Sequence, residues 1–149
     1  MRHEALAAGG LKDVLGYQLA QAAVTTSRVF QREVGLPHEL RPVEYTVLQL
    51  IADNPGSAPV ALARELSVTK PNITMWVDRL VGRGLVQRSP SSSDKRAQEL
   101  RTTAAGAVLA GQAAARLNAG EQAALAGLSA GERVILAELL HKVARAGQR

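Results

Sequence analysis

The 149-residue sequence predicts a mainly α-helical fold with one small antiparallel β hairpin: a winged helix-turn-helix flanked by N- and C-terminal dimerisation helices. Three observations lead there. Apolar residues recur at helical spacing through most of the chain. Two short helical segments separated only by a tight turn precede a basic stretch with hairpin character. Aromatics make up only 3% of residues, namely Tyr17, Phe30, Tyr45 and Trp76, so the core must rest on Leu, Val and Ala, which favour close helix packing.

The elements follow in order. Leu11, Val14, Leu15, Leu19, Ala22, Val29, Phe30 and Val34 approximate one helical stripe, which Gly35 and Pro37 should end. Pro42 suits the first turn of a second helix with Val43, Val47, Leu48, Leu50 and Ile51 as its apolar residues, stopped by Asn54-Pro55-Gly56. Pro59 opens a short third helix through Leu66. Thr69 can cap a fourth by offering its hydroxyl to an orphan amide; Ile73, Trp76, Val77 and Leu80 bury one side, and Gly82 and Gly84 end it. Residues 85–89 and 97–102 look like two short strands around a polar tip. Thr103 is a candidate cap for the Ala-rich helix that follows, and Ser129 with Glu132 forms a capping box for a last helix through Val143. The expected organisation is residues 1–40 as N-terminal dimerisation helix and connector, 41–102 as the winged module and 103–149 as C-terminal dimerisation helices.

Several classes are excluded. Without cysteine there are no disulfides, thiolate nucleophiles or Cys-based zinc sites. His3, His38 and His141 are scattered and lie in no metal-ligand spacing. The Ser91–Ser93 run lacks a nucleophile-elbow frame, and no phosphate-cradling Gly-rich loop exists, so neither enzyme activity nor a cofactor is expected. No apolar stretch approaches the roughly 20 residues that span a bilayer, and the start carries no long apolar signal core, so a cytoplasmic location is expected.

The net charge is +5, and its distribution is informative. Residues 1–40 balance four Lys/Arg against four Asp/Glu, whereas residues 79–101 hold Arg79, Arg83, Arg88, Lys95, Arg96 and Arg101 against Asp94 and Glu99. A second helix of the helix-turn-helix must bury one side and keep its amino end and outer face polar, and Thr69, Lys70, Asn72, Thr74 and Asp78 fit that division. Its unpaired amides and positive dipole can approach phosphates and base edges while the hairpin reaches the adjacent groove. Double-stranded DNA is the expected partner.

At these residues the chain resembles the MarR family of winged-helix transcriptional regulators. The resemblance is carried by VTKPNITMWVDRLVGRGLV (residues 68–86), similar to the family's recognition helix, and DKRAQELRTTAAG (residues 94–106), similar to its wing. LSAGERVILAELLHKV (residues 128–143) is similar to its final helix. The resemblance implies that Thr69, Lys70, Pro71, Asn72, Thr74 and Met75 face the major groove. It places Lys95 and Arg96 at the wing tip, against minor groove and phosphates, and makes Asp94 a brace for Arg79. Met75 stands where the family often has a polar or basic side chain, and Arg41 where a Ser or Thr cap is usual.

Apolar stripes on both flanking segments exceed what one small domain can cover, which argues for a homodimer on a palindromic operator. Family members commonly repress and answer to aromatic carboxylates or phenols. Tyr17, His38, Arg41 and Tyr45 are the candidate effector residues, offering hydrogen bonds, a cation and an aromatic wall. Trp76, on the apolar stripe, is assigned to packing. The competing expectation is a helical protein-interaction module with a winged-helix core that does not read DNA.

Overall fold

The computed structural model describes residues 7 and 9–147; His3 lies outside them. After a single 3-10 turn (Gly9–Leu11), helix α1 (Leu15–Phe30) passes into a π-helical turn (Gln31–Gly35) and a last α turn, α2 (Leu36–His38). Then come α3 (Pro42–Asp53), α4 (Pro59–Glu65), α5 (Lys70–Gly82), strands β1 (Val86–Pro90) and β2 (Gln98–Thr102), and the long helices α6 (Ala104–Ala124) and α7 (Ala130–Ala146).

Four of the expected starts hold in detail, those at Pro42, Pro59, Thr103 and Ser129. Pro42, Pro59 and Pro71 each sit in the first turn of their helix, where an absent N–H removes nothing. The Thr103 hydroxyl accepts from the Gly106 amide at 3.0 Å. Ser129 and Glu132 satisfy each other's backbone amides at 3.2 and 2.7 Å, and the amide and hydroxyl of Ser129 hold the Glu132 carboxyl below its ordinary pKa.

Gly35 and Pro37 do not end the first helix. The chain stays helical through His38 because the ladder widens, Leu36 N–H bonding Gln31 C=O across an i to i−5 turn. That π turn lies where the Pro37 ring would otherwise press on the carbonyl four residues back, that of Glu33. The helix ends instead at Glu39, in left-handed conformation with φ 49°.

The hairpin is antiparallel, with Val86 opposite Thr102 and Pro90 opposite Gln98. A third short backbone partner was not legible in the sequence: Ser57, just before α4, bridges Leu100, whose amide donates to Ser57 C=O at 2.9 Å. This pairing ties the wing's base to the helix-turn-helix.

One core joins the module to its flanks. Val47, Leu48 and Ile51 of α3, Ile73, Val77 and Leu80 of α5 and Leu100 of β2 are almost wholly buried, together with Val34 from the π turn and Ala110 and Ala113 from α6. Trp76 packs half-buried against this cluster, as a core residue should. Small residues set the closest approaches. At Gly120, where α6 crosses α1, an added Cβ would meet Val29 Cγ1 at 2.9 Å.

Gly106 is tighter still, because a Cβ there would lie 1.9 Å from the carbonyl oxygen of Leu85, and backbone cannot step aside. Helix propensity alone would make Gly106→Ala favourable by up to about 1 kcal/mol. We expect the opposite sign, a loss of about 3 kcal/mol or more in urea unfolding, because the first turn of α6 must lift off the Leu85 backbone just ahead of β1.

Candidate nucleic-acid interface

The outer face of α5 is built by exclusion. Ile73, Val77 and Leu80 turn inward, which leaves Lys70, Pro71, Asn72, Thr74 and Met75 exposed at the amino end, with Thr69 exposed just ahead of them. Lys70, Pro71, Thr74, Met75, Asp78 and Arg79 line a shallow depression on that face. Thr69 takes the extended N-cap conformation, φ −74° and ψ 152°, yet its hydroxyl bonds no amide of the helix. The expected cap is therefore not made, and the first-turn amides are open at the positive end of the helix dipole. Thr74 donates its hydroxyl proton to Lys70 C=O at 3.1 Å, leaving its methyl and an acceptor lone pair outward.

The wing tip is a self-bonded turn. Ser91 is buried, and its hydroxyl accepts from the amides of Ser93 and Asp94 at 3.3 and 3.4 Å. The Asp94 carboxylate accepts the Arg96 amide at 2.9 Å. With the backbone of the turn held from inside, Lys95 and Arg96 are exposed and, among the described residues, enter no ion pair. Asp78 on α5 pairs with Arg88 on β1, so helix and wing are linked directly.

The expected brace between Asp94 and Arg79 is not the one present. Arg79 points from α5 toward the start of α3, where its guanidinium meets the Glu44 carboxylate at 2.9 Å. Glu44 is buried, and its second oxygen accepts the Arg41 amide at 3.0 Å. A buried carboxylate needs a cationic partner more than a solvated wing aspartate does, and Arg79 takes the buried one. Sequence reading passed over Glu44, although an acid at the third position of a helix was the available signal. Arg83 was noticed only as charge. Its two terminal nitrogens donate to the carbonyls of Glu39 and His38 at 2.9 and 2.7 Å, contacts with no local sequence signature.

The candidate effector residues divide. His38, Arg41 and Tyr45 cluster along the connector and the first turn of α3. His38 has a buried Nε2 without a partner among the described residues. Arg41 is the exposed N-cap of α3, and its guanidinium, having no acceptor, cannot cap as Ser or Thr would. Tyr45 stacks obliquely on Phe30, ring centroids 5.9 Å apart; burial first, then Asp53 and Glu121, raises its phenol pKa above the ordinary value, so it stays protonated at neutral pH. Tyr17 does not join them in one chain: 21 residues of nearly continuous helix put it roughly 30 Å from His38.

No group of three or more His, Asp or Glu that could hold a metal occurs among the described residues, and none of their helices is long and apolar enough to cross a membrane. Residues 40–97 match the model of the MarR family. A putative transcriptional regulatory protein for the hcr operon of Thauera aromatica is 33% identical over 144 residues, covering 92% of this chain and 82% of that protein. Among solved structures, the transcriptional repressor CouR bound to a 23-mer DNA duplex superposes with a TM-score of 0.85 at 30% identity, covering 94% of this chain and 99% of CouR. The PcaV regulator of Streptomyces coelicolor, in complex with its natural ligand, gives 0.82 at 25% identity, covering 95% and 99%. With its recognition helix, wing and flanking helices in the same arrangement over nearly the full length, the chain belongs to the MarR family of winged-helix, DNA-binding transcriptional regulators.

Proposed function

We infer that this chain is a sequence-specific repressor that binds a palindromic operator as a homodimer in the cytoplasm and is released by a small aromatic carboxylate or phenolic effector. The observation that carries the DNA reading is the pairing of two surfaces on one rigid module. These are the outward residues Thr69, Lys70, Pro71, Asn72, Thr74 and Met75 of α5, and the unpaired cations Lys95 and Arg96 on a turn braced from within. That CouR carries a DNA duplex on the same fold supports it.

Dimerisation is supported by apolar surface that one chain leaves uncovered. Helix α7 has no buried residue, with Val134 69% and Ile135 57% exposed, and Leu15 on α1 is 74% exposed. A groove of about 730 Å³ between α1, α6 and α7, walled by Leu19, Leu125, Leu136 and Leu140, is open along the same side. The effector reading rests on the connector: the buried imidazole nitrogen of His38 and the guanidinium of Arg41, both without a partner among the described residues, lie within seven residues of Tyr45, whose ring meets Phe30. PcaV, which holds its natural ligand on this fold, supports it.

Selection of genomic fragments with the purified protein should return sites of dyad symmetry, with half-site centres one helical turn, about 34 Å, apart. A monomer in analytical ultracentrifugation that selects asymmetric sites would overturn this. Arg96→Ala should weaken binding to every sequence and flatten the slope of log K against log salt by about 0.9 for each half-site occupied, about 1.8 on the whole operator, if each copy neutralises one phosphate. Asn72→Ala should instead relax preference at one operator position by about 1 to 3 kcal/mol, leaving the slope alone; the reverse pattern would exchange the roles of helix and wing. In titrations of the operator complex with benzoates, cinnamates and phenylacetates, at least one compound should release DNA. That compound must bind the free dimer tighter than the bound one by the factor by which it weakens DNA binding. Arg41→Ala should blunt the response. Full response in that variant would place the anion elsewhere, and no release by any compound would rule out this effector class.

A further inference from the structure

Arg79 and Arg83 lie in the most basic stretch of the chain, on and just after the helix that faces DNA, and charge alone would count them as phosphate contacts. Their bonds point the other way. Arg83 is the C-cap residue of α5, and its fork closes on two successive carbonyls, those of His38 at 2.7 Å and Glu39 at 2.9 Å. These carbonyls are free to accept because Glu39 turns left-handed at φ 49° and ends the long helix there. The negative end of that helix's dipole strengthens the contact. One turn earlier on α5, Arg79 is held by buried Glu44 at the opposite end of the same connector. Three charge-assisted bonds, spanning 35, 44 and 45 residues of sequence, thus nail the carboxyl half of the recognition helix to residues 38–44.

We propose that Arg83, with Arg79 beside it, is a positioning residue that sets operator half-site spacing: it fixes the angle of the recognition helix to the dimerisation helices and makes no DNA contact itself. The inference rests on the dimeric reading above. Two recognition helices tied rigidly to one dimer core accept only one separation, since each base pair of spacer moves a half-site by about 3.4 Å and turns it by about 35°. A loosened clamp leaves each half able to bind but couples the two less effectively, lowering the affinity for the whole site while tolerating more spacings.

The test compares wild type, Arg83→Lys and Arg83→Gln on three DNAs: the selected operator, the same operator with its spacer changed by one base pair either way, and an isolated half-site. Lysine keeps the charge but cannot fork onto two carbonyls, and glutamine removes the charge. Both variants should bind the operator roughly tenfold more weakly, lose less than wild type on the altered spacers, and match wild type on the half-site. Their salt slopes should equal that of wild type. A drop in slope of about 0.9 for Arg83→Gln on the isolated half-site and about 1.8 on the operator, with affinity lost on the half-site as well, would make Arg83 a phosphate contact and overturn the proposal. So would a wild-type spacer profile in both variants. A wild type indifferent to spacer, binding one half-site as a monomer, would instead bring down the dimeric reading.

Discussion

The carboxylate of Glu44 is where the connector, the first helix of the module and the recognition helix meet. One oxygen accepts the Arg41 amide and the other the Arg79 guanidinium. Buried charge is tolerated only when its acceptors are filled, so the position of Glu44 constrains both partners at once. Arg79 is about half exposed, which keeps its own contribution at the low end of the roughly 1.5–3 kcal/mol usual for bonds to charged groups. The geometric contribution is larger than the energetic one: with Glu44 fixed in the core beside Val47 and Leu48, the start of α3 and the outer face of α5 have one relative orientation.

The same economy recurs at the wing. Gly84 takes a left-handed φ of 69°, its carbonyl accepts the Thr103 hydroxyl at 2.6 Å, and that hydroxyl also caps α6 through Gly106. A single threonine therefore joins the end of the recognition helix to the start of a flanking helix. Asp78–Arg88 adds a tie between helix and first strand, and Leu100 with Ser57 anchors the second strand. The outer face of α5 and the wing are thus held as one body.

Much of this was legible locally. Prolines at helix starts, the Ser129–Glu132 capping box and the 3.6-residue stripes each act within a few positions, so the sequence displays them directly. The side chains that face outward on α5 follow from those that face inward. What escaped was long-range or concealed by continuity. Nothing near Arg79 or Arg83 says that their partners lie some 35 to 45 residues earlier, and the bridge from Ser57 to Leu100 has no periodic signature. Tyr17 was grouped with His38, Arg41 and Tyr45 for the hydrogen bonds, cation and aromatic wall they could offer together; the helix persists past Gly35 and holds Tyr17 and His38 apart within one chain.

The π turn that carries the helix past that point has a further consequence, for how the family can diverge. A turn of this kind amounts to one residue more than regular helix requires. Losing a single residue between Gln31 and Gly35 would restore the ordinary ladder without breaking the helix. It would also leave everything beyond, the connector and the module it carries, close to its present direction, because the widened turn absorbs the extra residue locally instead of passing on the roughly 100° that one residue adds in regular helix. A one-residue deletion at this turn would thus disturb the orientation of α1 to the module far less than the same deletion anywhere between Leu15 and Phe30, where every following residue would turn by about 100°.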